Sequence, residues 1–306
     1  MISKYMRGRL GNQMFQYAMI REIQEKNGNT DKIYLNFSKY IKSKNFEDEL
    51  KYFKVKEYEE VEKIQLSLIQ KFLILYYKIR KRIIRFVDPK NYYKKRHILE
   101  DKIKDNLIKK GIYWMEDGYL KTTKTKTKNK IVIGHFESSK NFNDIKNKLI
   151  KEFEPKSPCL DKNKKIYKLI NSTNSVCITV RRGDFVTNKK FSERFNVCDL
   201  NYFLKSIEIM KEKINNPTFF IFSDDIEWCK QNIKMDSNVY YEGGNDPVWE
   251  KLRLMYSCKH FIISNSTFSW WAQYLSRNNK KVVIAPKKWQ KYGYNDDIYE
   301  ENWILI

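Results

Sequence analysis

Glycine and proline are scarce, at ten and six residues in a chain of 306. So little of either excludes collagen-like and low-complexity chains, and 42% hydrophobic residues exclude a disordered one. Cysteine is thin as well. Cys159, Cys177, Cys198, Cys229 and Cys258 are odd in number and form no CxxC pair. A disulfide framework and a zinc site both lose their basis, and a reducing compartment is expected. The sequons at Asn36, Asn171 and Asn265 carry no meaning there. No apolar run reaches the roughly 18 residues that a membrane span needs, and "MISKYMRGRLGNQ" holds no signal core. A cytoplasmic protein follows as the expectation, with peripheral association to the inner face of a membrane left open. Neither a Walker P-loop nor a GxGxxG occurs, so ATPase and dehydrogenase readings lose support.

Acidic residues are outnumbered, 37 against 60 Lys and Arg, for a net charge of +23. Such a balance invites a nucleic-acid reading. The lysines are spread along the whole chain, however, beside many Ile, Asn and Tyr, as in a global compositional bias. No nucleic-acid partner is therefore expected. A basic surface also attracts nucleotide phosphates, anionic sugars or an anionic leaflet. Residues 71–96 carry ten Lys and Arg against one acid, Asp88. They could touch a membrane surface, or form a packed helix with a solvated basic face.

The chain divides near residue 155. In 1–155, a short strand (Ile2 to Met6) meets Gly8 and Gly11. A helix follows, capped by Asn12, striped by Met14, Phe15, Ala18, Met19 and Ile23, and ended by Gly28. The strand "KIYLNF" completes the opening of a Rossmann-like domain. The stretch 66–86 reads as a helix, 121–130 as a polar loop or hairpin edge, and 131–136 as a buried strand. A linker is expected near 154–165. In 156–306, strands at 175–180, 218–222, 238–242, 260–264 and 281–285 alternate with helices at 199–213, 224–232, 247–258 and 268–277. The expected fold class is α/β: two Rossmann-like domains facing each other across a cleft.

Three expected strands in the second half end in polar residues: "VRRGDF" (180–185), "FIFSDD" (220–225) and "IISNSTFSWW" (262–271). The carboxyl ends of parallel strands share one edge, where α/β proteins bind ligands. Arg181 and Arg182 offer planar forks for phosphate oxygens. Asn265, Ser266 and Thr267 open a helix whose N–H groups suit an anion. Ser223, Asp224 and Asp225 could accept hydrogen bonds from a base or ribose, or merely cap a helix through Ser223 or Asp224 with Glu227. Adjacent carboxylates point different ways, so "SDD" is a poor metal site and no metal is expected.

Together "RGRLGNQMFQYA" (7–18), "GHFESSKNF" (134–142), "VRRGDF", "FIFSDD", "CKHFIISNSTFSWWAQYLS" (258–276) and "APKKW" (285–289) resemble glycosyltransferase family 11, mostly bacterial α-1,2-fucosyltransferases. The resemblance covers both ends and the second half, and is weak over 45–130. It implies a GT-B fold with the GDP-fucose donor on the C-terminal domain and a glycan acceptor on the N-terminal one. It also implies inverting, metal-independent transfer of L-fucose onto a sugar 2-hydroxyl, typically of a β-galactoside, with no cofactor. Carried over from the family motif His-x-Arg-Arg-x-Asp, Arg181 contacts phosphate, and Arg182 and Asp184 shape the loop. Thr179 stands in the place of the histidine, which keeps another nucleotide sugar or linkage open. Gly11, Asn12 and Gln13 could approach the sugars, or form a tight turn and cap. Asp184, His135 and Glu137 are the candidates for a general base. The rival outside this class is a non-enzymatic binder of anionic polymers, which leaves the three strand-end motifs unexplained.

Overall fold

A computed structural model describes the chain except for residues 39, 42–45, 237 and 294–295. It holds two compact units: Met1–Phe153 with Gly293–Tyr299, and Glu154–Tyr292 with Glu300–Ile306. The expected division at 155/156 differs in one respect, because 293–299 belong with the first unit. There Asp297 accepts from the Tyr119 N–H and pairs with Lys140 at 3.3 Å.

The first unit runs β1 (Ile2–Tyr5), α1 (Leu10–Lys26), β2 (Ile33–Asn36), β3 (Glu59–Glu60), α2 (Leu68–Val87), α3 (Tyr92–Ile108), β4 (Ile112–Trp114), β5 (Lys130–Ile133) and α4 (Lys146–Glu152). Its sheet has the order β3-β2-β1-β5-β4, every pairing parallel. Parallel strands are covered on both faces, which is why "KIVI" and "IYW" lack polar alternation. The segment 121–129 is a loop, and no hairpin edge forms.

Helix α1 begins at Leu10, two residues before the expected cap. Its N-cap is Arg9, which makes no side-chain cap bond, and Glu49 accepts from the Leu10 N–H instead. Asn12 therefore sits inside the first turn. The helix is buried on nearly every side, not only along the expected stripe. Its charges survive burial because they are paired: Arg21 bridges Glu152 at 2.9 Å and Glu25 at 2.8 Å, and Glu22 holds Lys26. Gly28, with φ +91°, follows the helix as expected.

In the second unit come α5 (Lys164–Ser172), β6 (Asn174–Val180), α6 (Gly183–Thr187), α7 (Lys189–Phe195), α8 (Leu200–Lys213), β7 (Pro217–Ser223), α9 (Ile226–Asn232), β8 (Val239–Tyr241), α10 (Val248–Ser257), β9 (His260–Ile262), α11 (Thr267–Leu275), β10 (Val283–Ala285) and β11 (Ile304–Leu305). The sheet order is β11-β10-β9-β6-β7-β8, again all parallel. Counted from β6 outward this is 3-2-1-4-5-6, with the order reversing between β6 and β9. Val176, Ile178, Phe219, Ile221 and Ile262 bury one sheet face against Phe203, Ile207 and Met210 of α8.

The backbone at position 134 in the first unit admits only glycine. Gly134 has φ +128°, and a Cβ there would lie 1.6 Å from the Met115 carbonyl oxygen. Gly134→Ala is expected to lower stability by about 3 kcal/mol or more, since strain and a backbone clash combine. Urea unfolding checks this; an unchanged midpoint contradicts it.

Candidate functional site

The switch point of the second sheet gathers the three strand-end motifs. Val180 is in register with Ser223, and Ile178 with Ile262, so Arg181, Asp224 and Asn265 leave the same edge. Side chains stitch that edge together. The Ser223 hydroxyl donates to the Val180 carbonyl at 2.9 Å. The buried Thr179 hydroxyl accepts from the Ser264 N–H at 3.0 Å, joining β6 to the end of β9. Thr179 thus has a defined task at the position where the family motif carries histidine.

Arg181 is forked between two carboxylates, its guanidinium donating to Asp224 and to Asp184. Asp224 also accepts from the Arg182 N–H at 2.8 Å. The Arg182 side chain donates to Asp225 at 3.0 Å and lies 3.9 Å over the Trp228 ring. Asp225, not Ser223 or Asp224, caps α9, accepting from the Trp228 N–H at 3.3 Å. Gly183 makes room for this arrangement: a Cβ there would lie 2.4 Å from Asp224 Oδ2.

The "NST" motif splits into two roles. Asn265 is 4% exposed, and its amide donates to the Phe195 carbonyl at 2.8 Å and the Trp289 carbonyl at 2.9 Å. It positions the loops around the edge and has no donor left for a ligand. Ser266 and Thr267 are half-buried at the start of α11, whose N-cap Ser266 makes no side-chain cap bond. The first N–H groups of a helix have no intrahelical acceptors and carry partial positive charge. Sequence reasoning missed the rings beside this edge. Phe185 stacks on Phe195 at 5.4 Å, Phe195 on Phe191 at 6.0 Å, and Arg181 lies over Phe185. Helices α6 and α7, which carry Phe185, Phe191 and Phe195, are short, and α6 buries no residue, so no apolar stripe announced them.

The carboxyl edge of the first sheet carries the other expected residues. Gly8 turns the chain at φ +75°, and the loop is knitted by glutamines. Gln13 is fully buried, donating to the Gly8 carbonyl at 3.2 Å and the Glu47 carbonyl at 2.9 Å and accepting from the Glu49 N–H. Gln13 is thereby a framework residue, as is the buried Gly11. Asn12 is half-buried, and its Oδ1 has no hydrogen-bond partner among the described residues. His135 follows Gly134, and its Nδ1 is 3.3 Å from the Glu116 carbonyl and 4.0 Å from Asp117. Burial pushes the imidazole below its ordinary value. Phe136, next in the chain, is in the left-handed region at φ 59°. Glu137 is half-buried.

Beneath His135 lies a charge cluster that no motif signalled. Glu116 accepts from Lys81 at 2.7 Å and Arg7 at 3.3 Å. Burial opposes ionisation there, yet these cations hold Glu116 well below the usual carboxylate range. Glu100, 2% exposed, is pushed by burial up to about 7 although Arg96 and Lys81 lie nearby. Lys4 is buried under the same edge, donating to the Gly134 carbonyl at 2.7 Å, and burial drives its pKa down. Among the described residues, no group of three or more His, Cys, Asp or Glu could hold a metal ion.

Two all-parallel Rossmann-type units make up an α/β fold of the GT-B class. The chain belongs to glycosyl transferase family 11, whose family model matches residues 1–306. It is 36% identical over 181 residues to an alpha-1,2-colitosyltransferase of Escherichia coli, covering 57% of this chain and 61% of that one. It is 29% identical over 145 residues to the O-antigen biosynthesis glycosyltransferase WbnK of Escherichia coli, covering 46% and 48%. The match thus spans about half to three fifths of the length of these two relatives. Among solved structures, NodZ alpha-1,6-fucosyltransferase soaked with GDP-fucose matches with a TM-score of 0.51 at 12% identity, over 89% of this chain and 92% of that one. At that identity the likeness is one of fold.

Glu100 yields a test of the buried cluster. Its folded pKa of about 7 lies above the ordinary 4.5, so the folded state holds this proton longer than the unfolded one. The group therefore costs stability as pH rises through that window. Glu100→Gln removes the cost. Its melting temperature relative to the parent should climb between pH 4.5 and 7 and level off above. A difference that is flat across this range contradicts the assignment.

Proposed function

We propose that this protein transfers L-fucose from GDP-fucose to the 2-hydroxyl of an acceptor sugar, a terminal β-galactoside of a surface glycan. The transfer inverts the anomeric centre and uses neither metal nor cofactor. The observation that carries this reading is Arg181 at the switch point of the second sheet, beside the uncapped start of α11, in a chain of this family. Breaking the sugar–phosphate bond leaves negative charge on the departing β-phosphate and oxocarbenium character on the sugar. Arg181, Arg182 and the N–H groups near Thr267 offset that charge. Such a preorganised contact contributes about 2.7–4 kcal/mol to transition-state stabilisation.

The edge holds two guanidinium groups against three carboxylates: Asp184, Asp224 and Asp225. A diphosphate would compete with Asp224 or Asp184 for Arg181. The exchange suits chemistry that must also release GDP, because the carboxylates recapture the arginine. The ring ladder of Phe185, Phe195 and Phe191 offers the guanine base a stacking surface. For the acceptor proton, Asp184 is engaged by Arg181, while His135 is held neutral. With Nδ1–H donated to the Glu116 carbonyl, Nε2 keeps the lone pair that a base requires. His135 is the strongest of the three base candidates.

A second reading is a different nucleotide sugar as donor. It rests on the 36% identity to an alpha-1,2-colitosyltransferase and on Thr179 in the motif. One experiment separates the two: GDP release from GDP-fucose and from other GDP-sugars, each with a panel of β-galactosides, in EDTA. Turnover with GDP-fucose and a galactoside is the expected outcome. Turnover confined to another GDP-sugar replaces the donor, and GDP-fucose turnover that stops in EDTA removes the metal-free mechanism.

A further inference from the structure

Helix α2 faces two apolar directions. Its inward side is mounted on the first unit through Gln70, Ile74 and Lys81. Gln70 donates to the carbonyls of Lys110 (3.1 Å) and Asn129 (2.9 Å), Ile74 is buried, and Lys81 pairs with Glu116 at 2.7 Å. A capping box between Ser67 and Gln70 fixes its start. The opposite side is an uncovered apolar stripe. Phe72 is 67% exposed, Leu75 58%, Ile79 47%, Ile83 53% and Phe86 89%. Their spacing of three and four residues keeps them on one side of the helix. Exposed large apolar groups on a soluble fold normally occur singly, so a continuous stripe marks an interaction surface.

Charge identifies what covers it. The helix holds six Lys and Arg and no acid. Lys71, Lys78, Arg82 and Arg85 share one flank between the inward and outward faces, by helical spacing. Lys78, Lys81, Arg82 and Arg85, with Tyr92 of α3, line a cavity of about 170 Å³ beside the stripe. Arg85 stands 4.4 Å over the Tyr92 ring. Among the described residues, Lys78, Arg82 and Arg85 make no ion pair. An apolar stripe bordered by unpaired cations matches acyl chains bordered by anionic headgroups. A helix of this composition lies along a bilayer; among the described residues, no helix is long and apolar enough to cross one.

We propose that α2 docks the protein on an anionic phospholipid surface, with Phe72, Leu75, Ile79, Ile83 and Phe86 in the acyl boundary and the basic cavity on a lipid phosphate. The proposal stands apart from the transferase reading and survives its failure. Flotation of the full chain with vesicles tests it, using phosphatidylcholine alone and phosphatidylcholine mixed with phosphatidylglycerol. The protein should float with the mixed vesicles and not with phosphatidylcholine alone, and should release in high salt. Arg82→Gln with Arg85→Gln should weaken binding roughly fivefold for each charge removed. The combined variant Phe72→Ser, Ile79→Ser and Phe86→Ser should stay at the bottom, with unchanged circular dichroism. Failure of the parent to float with mixed vesicles at low salt overturns the proposal. So does equal flotation of the serine variant. A parent dimer in sedimentation velocity that the serine variant turns into a monomer overturns it too, since a second copy then covers the stripe.

Discussion

Asp224 is the residue on which the second unit's edge depends. It accepts from the Arg181 guanidinium and from the Arg182 backbone, and Gly183 leaves it the space to do so. Two motifs about forty residues apart are thereby made into one structure. A strand pairing alone would align β6 and β7 but leave their polar ends free to move. The carboxylate fixes where the guanidinium points, and Thr179 fixes that end of β6 against the start of the "NST" turn. These contacts hold the guanidinium at the end of β6, where its two carboxylate partners are groups that other oxyanions can replace.

The same edge shows how half-buried cations are accommodated. A half-buried guanidinium with no partner would be costly. The carboxylates satisfy it, and they are acceptors that phosphate oxygens can imitate. The first unit solves a similar problem more permanently. Lys4, Arg7, Lys81, Arg96, Glu100 and Glu116 form a buried cluster under the loop of His135, where Glu116 stays ionised because two cations face it. Lys81 also ties that cluster to α2, so the helix with the exposed stripe is mounted on the charges beneath His135.

Much of the second unit was legible because its strands are short apolar runs bounded by turns and its helices are striped. Strand 175–180 and helix 199–213 fall within a residue of β6 and α8. The convergence of "VRRGDF", "FIFSDD" and "SNST" was readable too, since parallel order dictates it. Local chemistry was less so. Asn12 reads as a cap, but the helix reaches back to Leu10 because Glu49, remote in sequence, accepts the first N–H. Asn265 and Gln13 read as ligand donors, yet both are spent on carbonyls that only the folded chain brings near. Helix α3 was hard to read because its buried stripe of Tyr92, Leu99 and Leu107 is interrupted by Arg96 and Glu100, whose burial rests on partners such as Asp117 and Lys81. The segment 71–96 showed its charge in the sequence, while which face it turns outward depended on the inward mounting of Gln70 and Lys81.

In the proposed transfer, Arg181 exchanges its carboxylates for the donor's diphosphate. Calorimetric titration of GDP into the parent and into Arg181→Ala tests it most directly. The parent should bind GDP, and the variant should keep its melting cooperativity while losing roughly ten- to a hundredfold in affinity, in line with the loss of a charge-assisted hydrogen bond of about 1.5–3 kcal/mol. GDP binding of equal strength in a folded Arg181→Ala variant would contradict the account.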